Sequence, residues 1–153
     1  MTELMDVSDF LSKARRALRF GKFSRLPVHL LRLEWKGDAI ECDWLMRPAD
    51  PWDLDIPARV AEEQLTLQAL RDAISLRDIV FHCFPEVMTA ELRMFRPDAE
   101  AQLVLAMTGT VNRSNEVLRR VASLVMRARL CGFRFTLDDG ALASPHSVSF
   151  GCL

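Results

Sequence analysis

The chain has 153 residues, half of them apolar and 27% charged, which excludes disorder and a disulfide-dependent miniprotein and fits one globular domain. A formal net charge of -1 excludes global attraction to nucleic acid or anionic lipid. The cysteines at 42, 83, 131 and 152 form no CxxC pair and no cluster, which reads as reduced thiols in a cytoplasmic protein.

Glu3, Asp6 and Asp9 stand where a signal peptide needs a basic start, and no run reaches 18 apolar residues, so export and membrane spanning are disfavoured. Seventeen Arg against three Lys, with no Tyr, fits the codon bias of a GC-rich bacterial genome. The first element is an amphipathic helix: Val7, Phe10, Leu11, Ala14, Ala17 and Leu18 recur at helical spacing and Gly21 ends the pattern.

Residues 27–47 alternate apolar and polar around Gly37-Asp38, the pattern of a β-hairpin. Pairing residues whose numbers sum to 75 sets Trp35 opposite Ile40, Leu33 opposite Cys42, Leu31 opposite Trp44 and His29 opposite Met46, one apolar face. The other face sets Arg32 against Asp43, which is favourable, and Glu34 against Glu41, which is not. The loop 47–57 that follows holds three prolines with Asp50, Trp52, Asp53 and Asp55. It lacks the glycine and ligand periodicity of a calcium loop, so Asp50, Trp52 and Asp53 are candidates for an interface or a lid over the sheet edge.

A helix is expected from Pro57 to Leu76, capped by Asp55, with Val60, Leu67, Leu70 and Ile74 inward. The apolar run Ile79–Phe84 reads as a short strand, although periodicity also allows it to prolong the helix. A second hairpin is expected over Val87–Thr110, turning at Pro97-Asp98. Sums of 195 then pair Met94 with Ala101, Leu92 with Leu103, Ala90 with Leu105 and Met88 with Met107. A second long helix is expected from Ser114 to Gly132, then a strand over Phe133–Leu137. Residues 141–153 read as a loosely held tail outside a single domain spanning 1–140.

The fold class expected is therefore α+β: an antiparallel sheet of four to six strands built from two hairpins, one face covered by helices. The order is compatible with a ββαβ pseudo-repeat after the N-terminal helix. Where the second long helix begins, Thr110, Arg113 and Ser114 could hold a small anion at its N-terminus, with plain capping by Ser114 as the alternative. His29 and Cys42 fall about 13 Å apart along the expected hairpin, too far for one zinc ion. No metal or cofactor site is therefore expected.

No nucleophile elbow, paired acid and base, Walker loop or dinucleotide fingerprint is present, so no catalytic residue is assigned. Charge is nevertheless polarised: residues 13–25 carry six basic and no acidic side chains, 113–134 six basic and one acidic, and 34–63 nine acidic against three basic. The reading that fits is an interaction or assembly module, homodimeric, working through an exposed sheet edge or the Trp52 loop. Two alternatives stand beside it: a binder or enzyme for a small anionic ligand with a pocket between sheet and helices, and a nucleic-acid binder using the Arg-rich helices. The electrostatics disfavour the last. An acidic protein remains a compatible partner.

Overall fold

The computed structural model describes residues 28–48, 56–113, 121–138 and 140–142, with Ser12 besides. The N-terminal helix expected over 7–18, the Asp55 cap and residues 143–153 lie outside the described residues.

β1 (His29–Lys36) and β2 (Ala39–Leu45) form the first hairpin. Its two-residue turn carries a positive φ at Gly37, the first central position, which matches the right-handed twist of the flanking strands. From Lys36↔Ala39 to Arg32↔Asp43 the register is the one alternation predicts. Beyond it the register shifts, so Leu30 pairs with Trp44 and His29 with Leu45, correcting the expected Leu31–Trp44 and His29–Met46 pairs. Leu31 is the extra residue of a β-bulge, and its side chain is 40% exposed.

α1 (Ala58–Cys83) is a helix of 26 residues, about 39 Å long at the usual rise per residue. It begins after Pro57, whose carbonyl accepts from Ala61 N at 3.0 Å. The strand reading of Ile79–Phe84 is corrected: this run prolongs the helix. Helical spacing buries Val80, Phe81 and Cys83 beside Leu76 while leaving Asp78 and His82 in water. Strand alternation would have put His82 on the face of Val80 and Phe84. Pro85 ends the helix by disfavouring helical backbone at Phe84, which sits at φ -122° and ψ 79°. The first half of the expected repeat therefore lacks its last strand.

β3 (Thr89–Pro97) and β4 (Leu103–Asn112) form the second hairpin, with a wider connection than expected. Asp98 organises it: its Oδ1 accepts from Glu100 N and Gln102 N, both at 2.9 Å, and its own N–H donates to Gln102 O at 2.8 Å. The tight Pro97-Asp98 turn is thus corrected to a loop over 98–102, and every pair moves. Ala90 meets Val111, Leu92 meets Gly109 and Met94 meets Met107, while Met88 and Leu103 are turned out to solvent. A second bulge separates Met94 from Phe95.

The second described helix is α2 (Leu124–Cys131); the start expected at Ser114 lies outside the described residues, and the continuous helix expected from 114 to 132 is corrected at 121–123, which are not helical. Ser123 caps it, its Oγ accepting from Met126 N at 3.3 Å, and it stops at Gly132 as predicted. β5 (Phe133–Arg134) returns to pair with β4. β6 (Leu137–Asp138) and β7 (Ala141–Leu142) make a separate two-stranded sheet. Leu142 N donates to Thr66 Oγ1 at 2.9 Å, which fastens this start of the expected tail to α1.

The architecture is α+β: a five-stranded sheet in the order β1-β2-β3-β4-β5, a two-stranded sheet, and helices packed against the larger one. The larger sheet is mixed, because β2 and β3 pair in parallel. That follows from the connection, since α1 carries the chain back across the sheet before β3 begins, as a parallel neighbour requires. Three rows of inward side chains then run across the strands: Trp35, Ile40, Ala90 and Val111; Leu33, Cys42, Leu92, Gly109 and Phe133; Leu30, Trp44, Met94 and Met107. Leu70, Ala73, Leu76 and Val80 of α1, all fully buried, complete the core.

Candidate functional site

The opposite face of the sheet is polar, and its side chains also line up in rows. One row reads Arg32, Asp43, Arg93, Thr108 and Arg134 from β1 to β5; the next reads Glu34, Glu41, Glu91 and Thr110. Asp43 is buried between two guanidinium groups. Arg93 Nε and Nη2 reach its two oxygens at 2.9 and 2.8 Å, and Arg32 Nε reaches Oδ2 at 3.1 Å. Hydrogen bonds to that carboxylate raise the basicity of both arginines.

The same Arg32 also resolves the like-charge pair expected between Glu34 and Glu41. Its Nη1 donates to Glu34 and, at 3.1 Å, to Glu41, while Lys36 Nζ lies 3.3 Å from Glu41 and 3.8 Å from Glu34. The hydrogen bond from Arg32, helped by Lys36, lowers the Glu41 carboxyl to about 2. Beyond these rows the face turns apolar, with half-buried Leu45, Phe95 and Leu105 in one row and the Arg93 guanidinium 5.7 Å above the Phe95 ring.

β1 terminates the sheet, and among the described residues no strand pairs with its outer side. The turn bond from Ala39 to Lys36 makes Lys36, Glu34 and Arg32 the residues that share backbone hydrogen bonds with β2. Leu33 and Trp35 alternate with them, so their N–H and C=O groups point outward from the edge.

Of the anion-site candidates, Thr110 is exposed on β4 opposite Glu91, and Ser114 lies outside the described residues. Arg113 reaches the C-terminus of α1, and the residues after it, where the helix start is expected, lie outside the described residues. It donates from Nη1 to Phe81 O at 2.8 Å, from Nη2 to Phe84 O at 2.7 Å, and from Nε to Val87 O at 3.0 Å. It is a capping cation, satisfying carbonyls that the helix end leaves without an intrahelical donor. Arg77 answers it from the helix, donating to Asn112 O at 2.7 Å, and both guanidinium groups lie about 5 Å from the Phe81 ring. The interface candidates Asp50, Trp52 and Asp53 lie outside the described residues.

A buried polar cluster has no counterpart in the sequence reading. Arg47 Nε donates to Asp72 Oδ2 at 2.8 Å and Gln68 Nε2 to Asp72 Oδ1 at 2.7 Å, and all three residues are buried. Burial pushes the Asp72 carboxyl up, against the pull of Arg47 and Gln68. The available signal was the placement of Gln68 and Asp72 one turn apart beside Ala69, Ala73 and Leu76, which puts two polar residues next to the helix's apolar stripe.

Comparison with protein-family models, with curated proteins and with solved structures finds no match. The chemistry of the described residues therefore stands on the geometry alone. Cys42, Cys83 and Cys131 are buried thiols, and burial lifts Cys42 to about 12, far from a reactive thiolate. Among the described residues no group of three or more His, Cys, Asp or Glu is arranged to hold a metal ion, and no helix is long and apolar enough to cross a membrane.

Proposed function

We propose that the chain is an interaction and assembly module that works as a homodimer through the open edge of its sheet. One observation carries this reading: β1, eight residues long, ends the sheet with an outward row of backbone donors and acceptors that no described strand pairs. Such an edge is a template for another strand. Exposed Leu31 on the same strand adds apolar surface to it.

The ionisable groups support the same reading by their employment elsewhere. Arg113 caps a helix, Asp72 binds Arg47, and Asp43 ties β1 to β3 through two arginines. The anionic-ligand alternative rests on Arg113, whose guanidinium faces main-chain carbonyls.

Size-exclusion chromatography with light scattering over a wide concentration range tests the proposal. A mass of twice 17.4 kDa at the upper concentrations is expected. A single-chain mass throughout overturns the reading.

A further inference from the structure

Resting on the self-association proposed above, we infer that two copies pair β1 with β1 antiparallel in one register: Leu33 lies on the two-fold axis, and Arg32 of each chain faces Glu34 of the other. The argument is by elimination. In the regular part of β1 Leu33 and Trp35 direct their backbone groups outward, so each must meet an odd-numbered residue of the second copy, and the numbers of paired residues must add to an even sum.

A sum of 64 sets Arg32 against its own copy. A sum of 68 sets Glu34 against its own copy and Arg32 against Lys36. Both put like charges directly opposite. A sum of 70 pairs only residues 34–36 before the strand runs out at its turn. A sum of 66 pairs residues 30–36, makes Leu33 with Leu33 the hydrogen-bonded central pair, and places Arg32 and Glu34 together twice in the closer, non-hydrogen-bonded positions. It also lays Trp35 against the exposed bulge residue Leu31 of the second copy. The isologous contact that results extends the sheet to ten strands with its charges matched.

Two variants read the register. Glu34→Lys sets like charges opposite each other at both Arg32–Glu34 contacts and should raise the dimer dissociation constant by about tenfold or more. Glu34 is a surface residue set between Glu41 and the cations Arg32 and Lys36, so the fold of the diluted monomer should change little, which far-UV circular dichroism checks.

Oxidative cross-linking gives the second reading. Because Cys42 lies opposite Leu33 within the hairpin, Leu33→Cys and Glu34→Cys are each built on a Cys42→Ala, Cys152→Ser background. Leu33→Cys should form the covalent dimer, since a hydrogen-bonded pair spans about 5.5 Å between Cα atoms. Glu34→Cys should not, because in this register it meets its copy only diagonally, at about 7–8 Å. Cross-linking at 34 rather than 33, or an unchanged dissociation constant for Glu34→Lys, overturns the register while leaving the dimer standing. A monomeric unmodified chain overturns both.

Discussion

Asp72 shows how a single side chain can set the tolerance of a whole interface. It sits 1% exposed on the core side of α1, where an unpaired carboxylate would be costly, and it is stabilised there by the guanidinium of Arg47 and the amide of Gln68. Removing Asp72 takes from the buried Arg47 guanidinium and the buried Gln68 amide a carboxylate to which both donate. Asp72→Ala should therefore lower the unfolding free energy by about 1–3 kcal/mol, the cost of taking one partner from buried hydrogen bonds. Urea titration measures this, with the midpoint falling at unchanged slope; a midpoint that does not move would show that the buried Asp72 bonds contribute nothing net to the fold. Asp72 and Arg113 were both visible as letters, yet neither role was legible. Arg113 caps carbonyls that exist as a target only once the end of α1 and the end of β4 are brought together, and no local spacing encodes that meeting.

The elements divide by how local their determinants are. The first hairpin was legible down to its register because a two-residue glycine turn and strict alternation specify the same pairing. Its bulge was not, because Leu30 and Leu31 are both apolar and alternation cannot say which is the extra residue. The second hairpin misled for the converse reason: Pro97-Asp98 has turn chemistry, but the Asp98 carboxylate reaches Glu100 and Gln102 and holds a wider loop. That wider loop puts Gly109 rather than Leu103 opposite Leu92, and the absent side chain matters. A Cβ at 109 would stand 2.7 Å from Phe133 Cδ1 and 3.1 Å from Gly132 O, so Gly109 is what lets β5 lie against β4 with Phe133 in the core. Gly109→Ala should destabilise the fold by about 1–3 kcal/mol, as overpacking does. Amide hydrogen exchange should show the loss of protection concentrated in β4 and β5; an even loss over the sheet would locate the strain elsewhere.

For the molecule as a whole, the α+β class and the two hairpins followed from pattern, whereas the parallel seam between them did not, because it depends on where a 26-residue helix returns the chain. The seam is crossed on the outer face by charge: Asp43 of β2 holds Arg93 of β3, and Arg32 joins that carboxylate to Glu41. Acid acts beside this seam, within the first hairpin, where Glu41 of β2 is held by Arg32 and Lys36 of β1. Glu41 is lowered in the fold from its ordinary value of 4.5 to about 2, so its ionised form favours folding; the contribution is complete above 4.5 and is lost as pH falls toward 2. Asp72 has the opposite sign, since burial raises its carboxyl and protonation there favours the fold, so it opposes rather than causes an acid-side loss. The melting temperature should therefore fall as pH is lowered from 4.5 to 2, and Glu41→Gln should flatten that descent while leaving the neutral-pH fold intact. Thermal melts followed by circular dichroism at each pH decide it: parallel curves for Glu41→Gln and the unaltered chain would mean that the Glu41 ion pairs of the first hairpin are not what acid dissolves.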